Sequence, residues 1–153
     1  MIAYPQCVDY DFYRNYHLNP YNKAIHLICI PSISICFLNL ANHLLGATGD
    51  FGVYFFYMMY YFTYGSKVGI VMAIYLSLLY RLAYFWRSNN FNWRENSVNL
   101  FIFAWILQFF GHFIEGNRPA LMTSIKQSFL EAPLFTVEYI YPSLLELSQF
   151  NKI

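Results

Sequence analysis

The chain has 153 residues and a formal net charge of +1, and 58% of its residues are hydrophobic whereas only 11% are charged. Soluble domains carry about 25% charged residues, so this composition excludes an ordinary water-soluble domain and indicates an integral membrane protein. The near-neutral charge gives no reason to expect nucleic acid as a partner, because there is no basic stripe that could bind phosphates.

Four apolar runs predict an all-α fold, a single membrane domain over residues 1–153 built as a polytopic helix bundle. The predicted transmembrane helices are residues 24–45, 51–64, 68–86 and 98–114. The second run is short, because about 14 residues at about 1.5 Å each cover about 21 Å of a hydrocarbon core near 30 Å. It either begins near Leu45 and spans, or re-enters the membrane.

The first helix is predicted to begin at the Asn19-Pro20 pair. Proline is favoured at the first position of a helix and asparagine is a good N-cap, so Pro20 should be the first helical residue. His17 then precedes the helix and is free to fold back toward His26. Asn22 lies four residues before His26 on the same helical face, where it can orient an imidazole or a bound ligand.

Prolines divide the C-terminal segment, residues 119–147, into short pieces. Pro119, Pro133 and Pro142 leave pieces of about 8 to 13 residues, which are too short to cross a bilayer. We expect these pieces to form short interfacial helices that cap one side of the four-helix core.

The basic residues predict which side of the membrane each loop occupies. If all four runs span, the N-terminal segment, the second turn and the C-terminal segment share one side. That side carries six of the nine basic residues: Arg14, Lys23, Lys67, Arg118, Lys126 and Lys152. The positive-inside rule therefore predicts that both termini are cytoplasmic.

The same topology separates the four histidines into two groups. His17, His26 and His112 fall at the cytoplasmic edge, whereas His43 lies about 25 Å from His26 along one helix. His43 therefore cannot bind the same ion as His26, and we predict an interfacial or hydrogen-bonded role for it.

Polar groups also end the fourth run, where lipid disfavours them. Gln108, His112 and Glu115 are spaced by four and three residues, which places them on one helical face. An ionisable group at the membrane edge is costly and is by default a functional-site hypothesis, and His and Glu at this spacing build iron sites in helical bundles. Alternatively, Glu115 pairs with Arg118, and Gln108 is a packing group.

The histidines and Glu115 predict a metal site if they meet. Three imidazoles and a carboxylate suit Fe(II) or Zn(II), and spacing alone does not choose between these ions. Zinc-dependent hydrolysis ranks last, because the chain has no His-Glu-x-x-His helix of the metalloprotease type.

Three stretches of the chain resemble a known family. They are YHLNPYNKAIHLICIP from residue 16, WILQFFGHFIEGNRPAL from residue 105 and QSFLEAPLFTVE from residue 127, and the resemblance covers about residues 12–140. Through the His-Asn-His pattern of the first stretch and the Gly-His, Glu and Arg-Pro-Ala residues of the second, the chain is similar to the 2-hydroxy fatty acid dioxygenase family of small endoplasmic-reticulum membrane proteins.

The resemblance implies an Fe(II)-dependent dioxygenase that uses O2 to shorten a 2-hydroxy fatty acid by one carbon with release of CO2, as in fatty acid α-oxidation and phytosphingosine breakdown. The implied metal-binding and catalytic residues are His17, His26, His112 and Glu115. The implied substrate-binding residues are Arg118, which could neutralise the substrate carboxylate, with Asn22 and Gln108.

The family also implies a location in the endoplasmic reticulum membrane, or in the inner membrane if the source is bacterial, with the active site on the cytoplasmic side. The competing interpretation is a non-catalytic membrane protein that binds lipid or acts as a scaffold, with histidines that cap helices and bind headgroups. Metal content separates these two interpretations. The sequence leaves the oligomeric state open.

Overall fold

The computed structural model of the protein describes residues 5–145, with side chains from Tyr10 onward. This part of the chain is mostly helical and contains no strand, which confirms the all-α prediction. The helices are α1 (Pro5–Arg14), α2 (Pro20–Leu45), α3 (Ala47–Phe62), α4 (Ser66–Asn89), α5 (Trp93–Glu115), α6 (Ile125–Leu130) and α7 (Ala132–Ile140), and a short 3-10 helix covers Ala120–Met122.

Helix α2 begins where local sequence rules predict. The side-chain oxygen of Asn19 accepts a hydrogen bond of 2.8 Å from the backbone N–H of Tyr21, and Pro20 is the first helical residue. Helix α2 ends at Gly46, whose φ of +69° lies in the left-handed region that favours glycine. This glycine turns the chain directly into α3.

Within residues 5–145, three helices are long and apolar enough to cross a membrane, namely α2, α4 and α5. Helix α3 has 16 residues and is about 24 Å long, shorter than a hydrocarbon core of about 30 Å. Four crossings, and the sidedness derived from them, therefore stay predictions. Helices α2 and α5 run antiparallel, so the start of α2 lies beside the end of α5.

A buried polar network joins α2, α3, α4 and α5 at the opposite end of the bundle. The Nη2 atom of Arg87 lies 2.7 Å from the Oδ2 atom of Asp50, and Arg87 Nη1 donates to Asn39 Oδ1 at 3.0 Å. Asn39 Nδ2 in turn donates to Ser97 Oγ at 3.2 Å. A charge inside an apolar bundle is tolerated only when it is paired, so this network fixes the far end of the four helices against one another.

The C-terminal segment folds into the bundle and covers the end where α2 begins. Tyr57 and Tyr61 of α3 donate hydrogen bonds of 3.0 and 2.6 Å to the carbonyls of Phe129 and Leu130. Residues 132–137 of α7 are all buried. The short helices predicted for this segment are present as α6 and α7, and its last two residues, 146 and 147, lie outside the described range, as do both chain termini.

Helix α1 was not predicted from the sequence. Its buried Tyr10 donates to Glu138 Oε2 on α7 at 2.8 Å, and the buried Tyr13 packs edge-on against Phe135 of α7 with ring centroids 5.7 Å apart. These contacts dock α1 on α7 and place the following turn, residues 15–19, over the start of α2.

Candidate metal centre

Three histidines from three different elements meet in the interior of the protein. His17 lies in the turn between α1 and α2, His26 lies in the second turn of α2, and His112 lies in the last turn of α5. Each offers one ring nitrogen, and these nitrogens all lie within 4.8 Å of one another. All three side chains are buried, with exposed fractions of 1%, 2% and 4%.

Backbone carbonyls fix the tautomers of two of these rings. His17 Nδ1 lies 2.9 Å from the carbonyl oxygen of Tyr13, and His26 Nδ1 lies 3.0 Å from that of Asn22. A carbonyl can only accept, so each Nδ1 carries the proton and each Nε2 presents its lone pair. Metal-binding histidines are oriented in the same way by a hydrogen bond from the second ring nitrogen.

Two ring nitrogens of the cluster are buried without a hydrogen-bond partner among the described residues. They are His17 Nε2 and His112 Nδ1. An unpaired buried polar atom is costly and calls for an explanation such as an ion. A divalent transition metal would satisfy both nitrogens at once.

The protonation state of His17 also suits a metal ligand. Burial lowers the pKa of His17 to about 4, although the hydrogen bond to the Tyr13 carbonyl partly opposes this effect. His17 is therefore neutral at physiological pH, and neutral imidazole is the form that binds metal ions. Three neutral imidazoles fit Fe(II) or Zn(II) and leave coordination positions for other ligands.

Glu115 binds residues that neighbour the histidines in the turn and in α2. Its Oε1 accepts hydrogen bonds from the backbone N–H groups of Leu18 and Asn19, the latter at 3.0 Å, and its Oε2 accepts from Asn22 Nδ2. The carboxylate therefore holds the turn that carries His17 against both α2 and α5. Its predicted role as a metal ligand is not needed to explain its position, and that role stays a prediction.

Asn22 lies at a close contact between α2 and α5. It is fully buried, its carbonyl holds His26, and its side chain lies against Gly111. A Cβ atom at Gly111 would lie 2.3 Å from Asn22 Oδ1, so a larger residue there would displace the buried Asn22 side chain. The Gly-His pair of the sequence thus combines a packing residue with a candidate ligand.

Of the other predicted site residues, Gln108 lies beside the histidine cluster and Arg118 does not line its cavity. A small cavity adjoins the histidines, and Gln108, one helical turn before His112, lines it. Arg118 is exposed and is absent from the described lining of this cavity. His43 is exposed at the far end of α2, where its ring lies 6.0 Å from that of Trp93.

Sequence reasoning missed two residues of the site. Tyr13 holds His17 by its carbonyl and stacks on the His17 ring with centroids 4.4 Å apart, and Ser128 of α6 lines the histidine cavity. The spacing of four residues between Tyr13 and His17 is a helical signal, but it is only informative once α1 is known to be a helix.

Known proteins are similar in sequence to this chain over most of its length. A protein-family model described as "2-hydroxy-palmitic acid dioxygenase Mpo1-like" matches residues 7–144. The 2-hydroxy-palmitic acid dioxygenase MPO1 of Saccharomyces cerevisiae is 32% identical over 139 residues, which cover 85% of this chain and 76% of the yeast protein. No solved structure shows a significant match. The matched range includes all three clustered histidines.

Proposed function

We propose a function from one premise: the chain belongs to the Mpo1-like family. The proposed activity is that of an Fe(II)-dependent dioxygenase, which converts a 2-hydroxy fatty acid and O2 into the fatty acid one carbon shorter, CO2 and water. The observation that carries the proposal is the buried cluster of His17, His26 and His112 inside an apolar helix bundle.

The proposed reaction balances without a second organic substrate. The bond between C1 and C2 breaks, C1 leaves as CO2, and C2 is oxidised to the new carboxyl group while O2 is reduced. One oxygen atom of O2 enters the new carboxyl group and the other leaves as water. Because the 2-hydroxy acid supplies all the electrons, no 2-oxoglutarate is required.

The residues of the chain would hold the metal and orient the substrate. Iron bound by the three histidines would supply O2 activation and a Lewis acid for the 2-hydroxy carboxylate. The carbonyls of Tyr13 and Asn22 keep two imidazoles in the metal-binding tautomer. The side-chain amide of Gln108 lines the cavity and can donate to a substrate oxygen.

Glu115 and Arg118 complete the proposed site. Glu115 either binds the metal or, as its hydrogen bonds favour, positions the turn that carries His17. Arg118, which directly precedes the cavity-lining Pro119, is proposed to neutralise the substrate carboxylate. The proposed location is the endoplasmic reticulum membrane, or the inner membrane if the source is bacterial, with the site and both termini in the cytoplasm.

The test is a carbon and oxygen balance on the purified protein. Detergent-purified protein is loaded anaerobically with Fe(II), and then given O2 and 2-hydroxypalmitic acid labelled with ¹³C at C1. We expect about one O2 consumed per CO2 released, with all the label in CO2 and the unlabelled acid one carbon shorter as the product. Palmitic acid, which lacks the 2-hydroxyl group, is the control and should give no O2 uptake.

A folded, iron-loaded protein that consumes no O2 with the 2-hydroxy acid would overturn this proposal. That outcome would leave the non-catalytic, lipid-binding interpretation. Metal analysis after anaerobic Fe(II) treatment and removal of unbound metal is a second test of that interpretation, because a scaffold would retain no iron.

A further inference from the structure

An apolar cleft lies in the bundle between α2, α3, α4, α5 and the α6–α7 segment. Its walls include Ile30 and Leu38 of α2, Tyr57 of α3 and Leu76 of α4, all of which are at least partly buried. A mostly apolar lining with a few polar groups is typical of small-molecule sites. The cleft therefore suits a single slender apolar ligand.

The cleft adjoins the histidine cavity. Trp105, Gln108 and Ser128 line both spaces, so these three residues mark the junction between them. Gln108 and Ser128 are the polar members at this junction, whereas the cleft beyond it is mostly apolar. A ligand with a polar head and an apolar chain would match this order from the histidines inward.

The distance from the histidines to the far end of the cleft matches one extended acyl chain. Helix α2 runs from His26 at the histidine cluster to Leu38 at the far end of the cleft, a rise of about 18 Å. Carbon–carbon bonds of about 1.5 Å at tetrahedral angles advance an extended chain by about 1.25 Å per carbon, so about 14 carbons fit this distance.

The far end of the cleft is closed by packed side chains. Leu38 and Leu79 are 6% and 3% exposed and pack in one cluster with Val53. We call Leu38, Val53 and Leu79 the floor. Beyond the floor lies the buried pair of Asp50 and Arg87. A longer chain would push its terminal methyl group into this charged network, where an apolar group would displace hydrogen bonds between buried charges.

We propose that this cleft binds the acyl chain of a long-chain 2-hydroxy fatty acid, with the reactive end at the histidines and the terminal methyl group against the floor, so that the floor sets the longest chain accepted. The identity of the ligand rests on the proposed dioxygenase function. The position of the chain and the role of the floor rest on the cleft itself.

The first test changes the floor and a matched lipid-facing neighbour. Leu79→Phe adds bulk at the floor, whereas Leu78→Phe makes the same change at the adjacent residue, which is 56% exposed. We expect Leu79→Phe to lower kcat/KM for the C16 acid about tenfold relative to the C12 acid. The loss of one methylene contact in an apolar pocket lowers kcat/KM by about tenfold or more. Leu78→Phe should leave the ratio unchanged.

The second test measures binding without catalysis. Trp86→Phe and Trp93→Phe together leave Trp105 as the single tryptophan of the three in the chain. In iron-free protein, long-chain 2-hydroxy acids brominated near the carboxyl end should quench Trp105 fluorescence more strongly than acids brominated near the methyl end, because Trp105 lies at the junction. On this background, Leu79→Phe should weaken binding of the C16 acid but not of the C12 acid.

The two tests separate failure of this proposal from failure of the proposed function. Bromine quenching that is independent of position, or a chain-length profile identical in Leu79→Phe and Leu78→Phe, overturns the acyl site. Position-dependent quenching with a Leu79→Phe length effect, but no O2 uptake, supports the acyl site and overturns the dioxygenase function.

Discussion

His26→Ala should remove the bound iron and abolish O2 uptake dependent on the 2-hydroxy acid, and His112→Ala should do the same. Each substitution takes one of three buried imidazoles from a cluster in which the ring nitrogens lie within 4.8 Å of one another. Loss of a group that merely supports a ligand costs about 10–100-fold in metal affinity, so loss of a ligand should exceed 100-fold. Iron titration followed by metal analysis measures the effect.

His43→Ala is the matched control for these variants. His43 lies on the same helix as His26 but is exposed at the opposite end, beside Trp93. It should retain wild-type iron content and O2 uptake. Thermal unfolding of the iron-free proteins in detergent checks that all three variants fold. A folded His26→Ala protein that still binds iron with wild-type affinity would rule out the proposed centre.

Glu115→Ala should weaken iron affinity about 10–100-fold while leaving the iron-free fold intact. The carboxylate accepts hydrogen bonds from Leu18, Asn19 and Asn22, so its loss frees the turn that carries His17 and the helix face that carries His26. Glu115→Gln should recover part of the loss, because its amide oxygen still accepts from the backbone. Glu95→Ala, at the exposed start of α5, is the control and should have no effect.

Spectroscopy distinguishes positioning by Glu115 from direct metal binding. At iron concentrations that saturate both proteins, the ferrous centre probed with nitric oxide should give the same EPR spectrum in wild type and Glu115→Gln if the carboxylate only positions the turn. A changed spectrum at full iron occupancy would instead identify Glu115 as a ligand. The hydrogen bonds of the carboxylate favour the first result.

Features that depend on neighbouring residues or on composition could be predicted from the sequence. The start of α2 at Pro20 follows from a local capping rule, and the all-α fold follows from apolar runs long enough to cross a membrane. Family membership was also predicted from three short stretches and is confirmed by the match over residues 7–144. The proximity of His17 and His26 was predicted because the helix begins at Pro20, which leaves His17 outside the helix and free to fold back toward His26.

The features that were missed depend on contacts between distant residues. Helix α1 is held by Tyr10 and Tyr13 against α7, and nothing in its own sequence of mixed polar and aromatic residues signals that docking. Asp50 and Arg87 are 37 positions apart, so their pairing cannot be read from spacing. The acyl cleft likewise exists only once helices α2 to α7 have packed around it.

The proposed centre holds one iron ion between His17, His26 and His112. Iron K-edge X-ray absorption of the Fe(II)-loaded, detergent-purified protein tests this assignment. We expect a nitrogen and oxygen shell with outer-shell scattering from about three imidazole rings, and a loss of about one ring in His112→Ala if residual iron is retained at saturating concentration. A spectrum that is explained by oxygen ligands alone, with no imidazole scattering in the wild type, would contradict the claim.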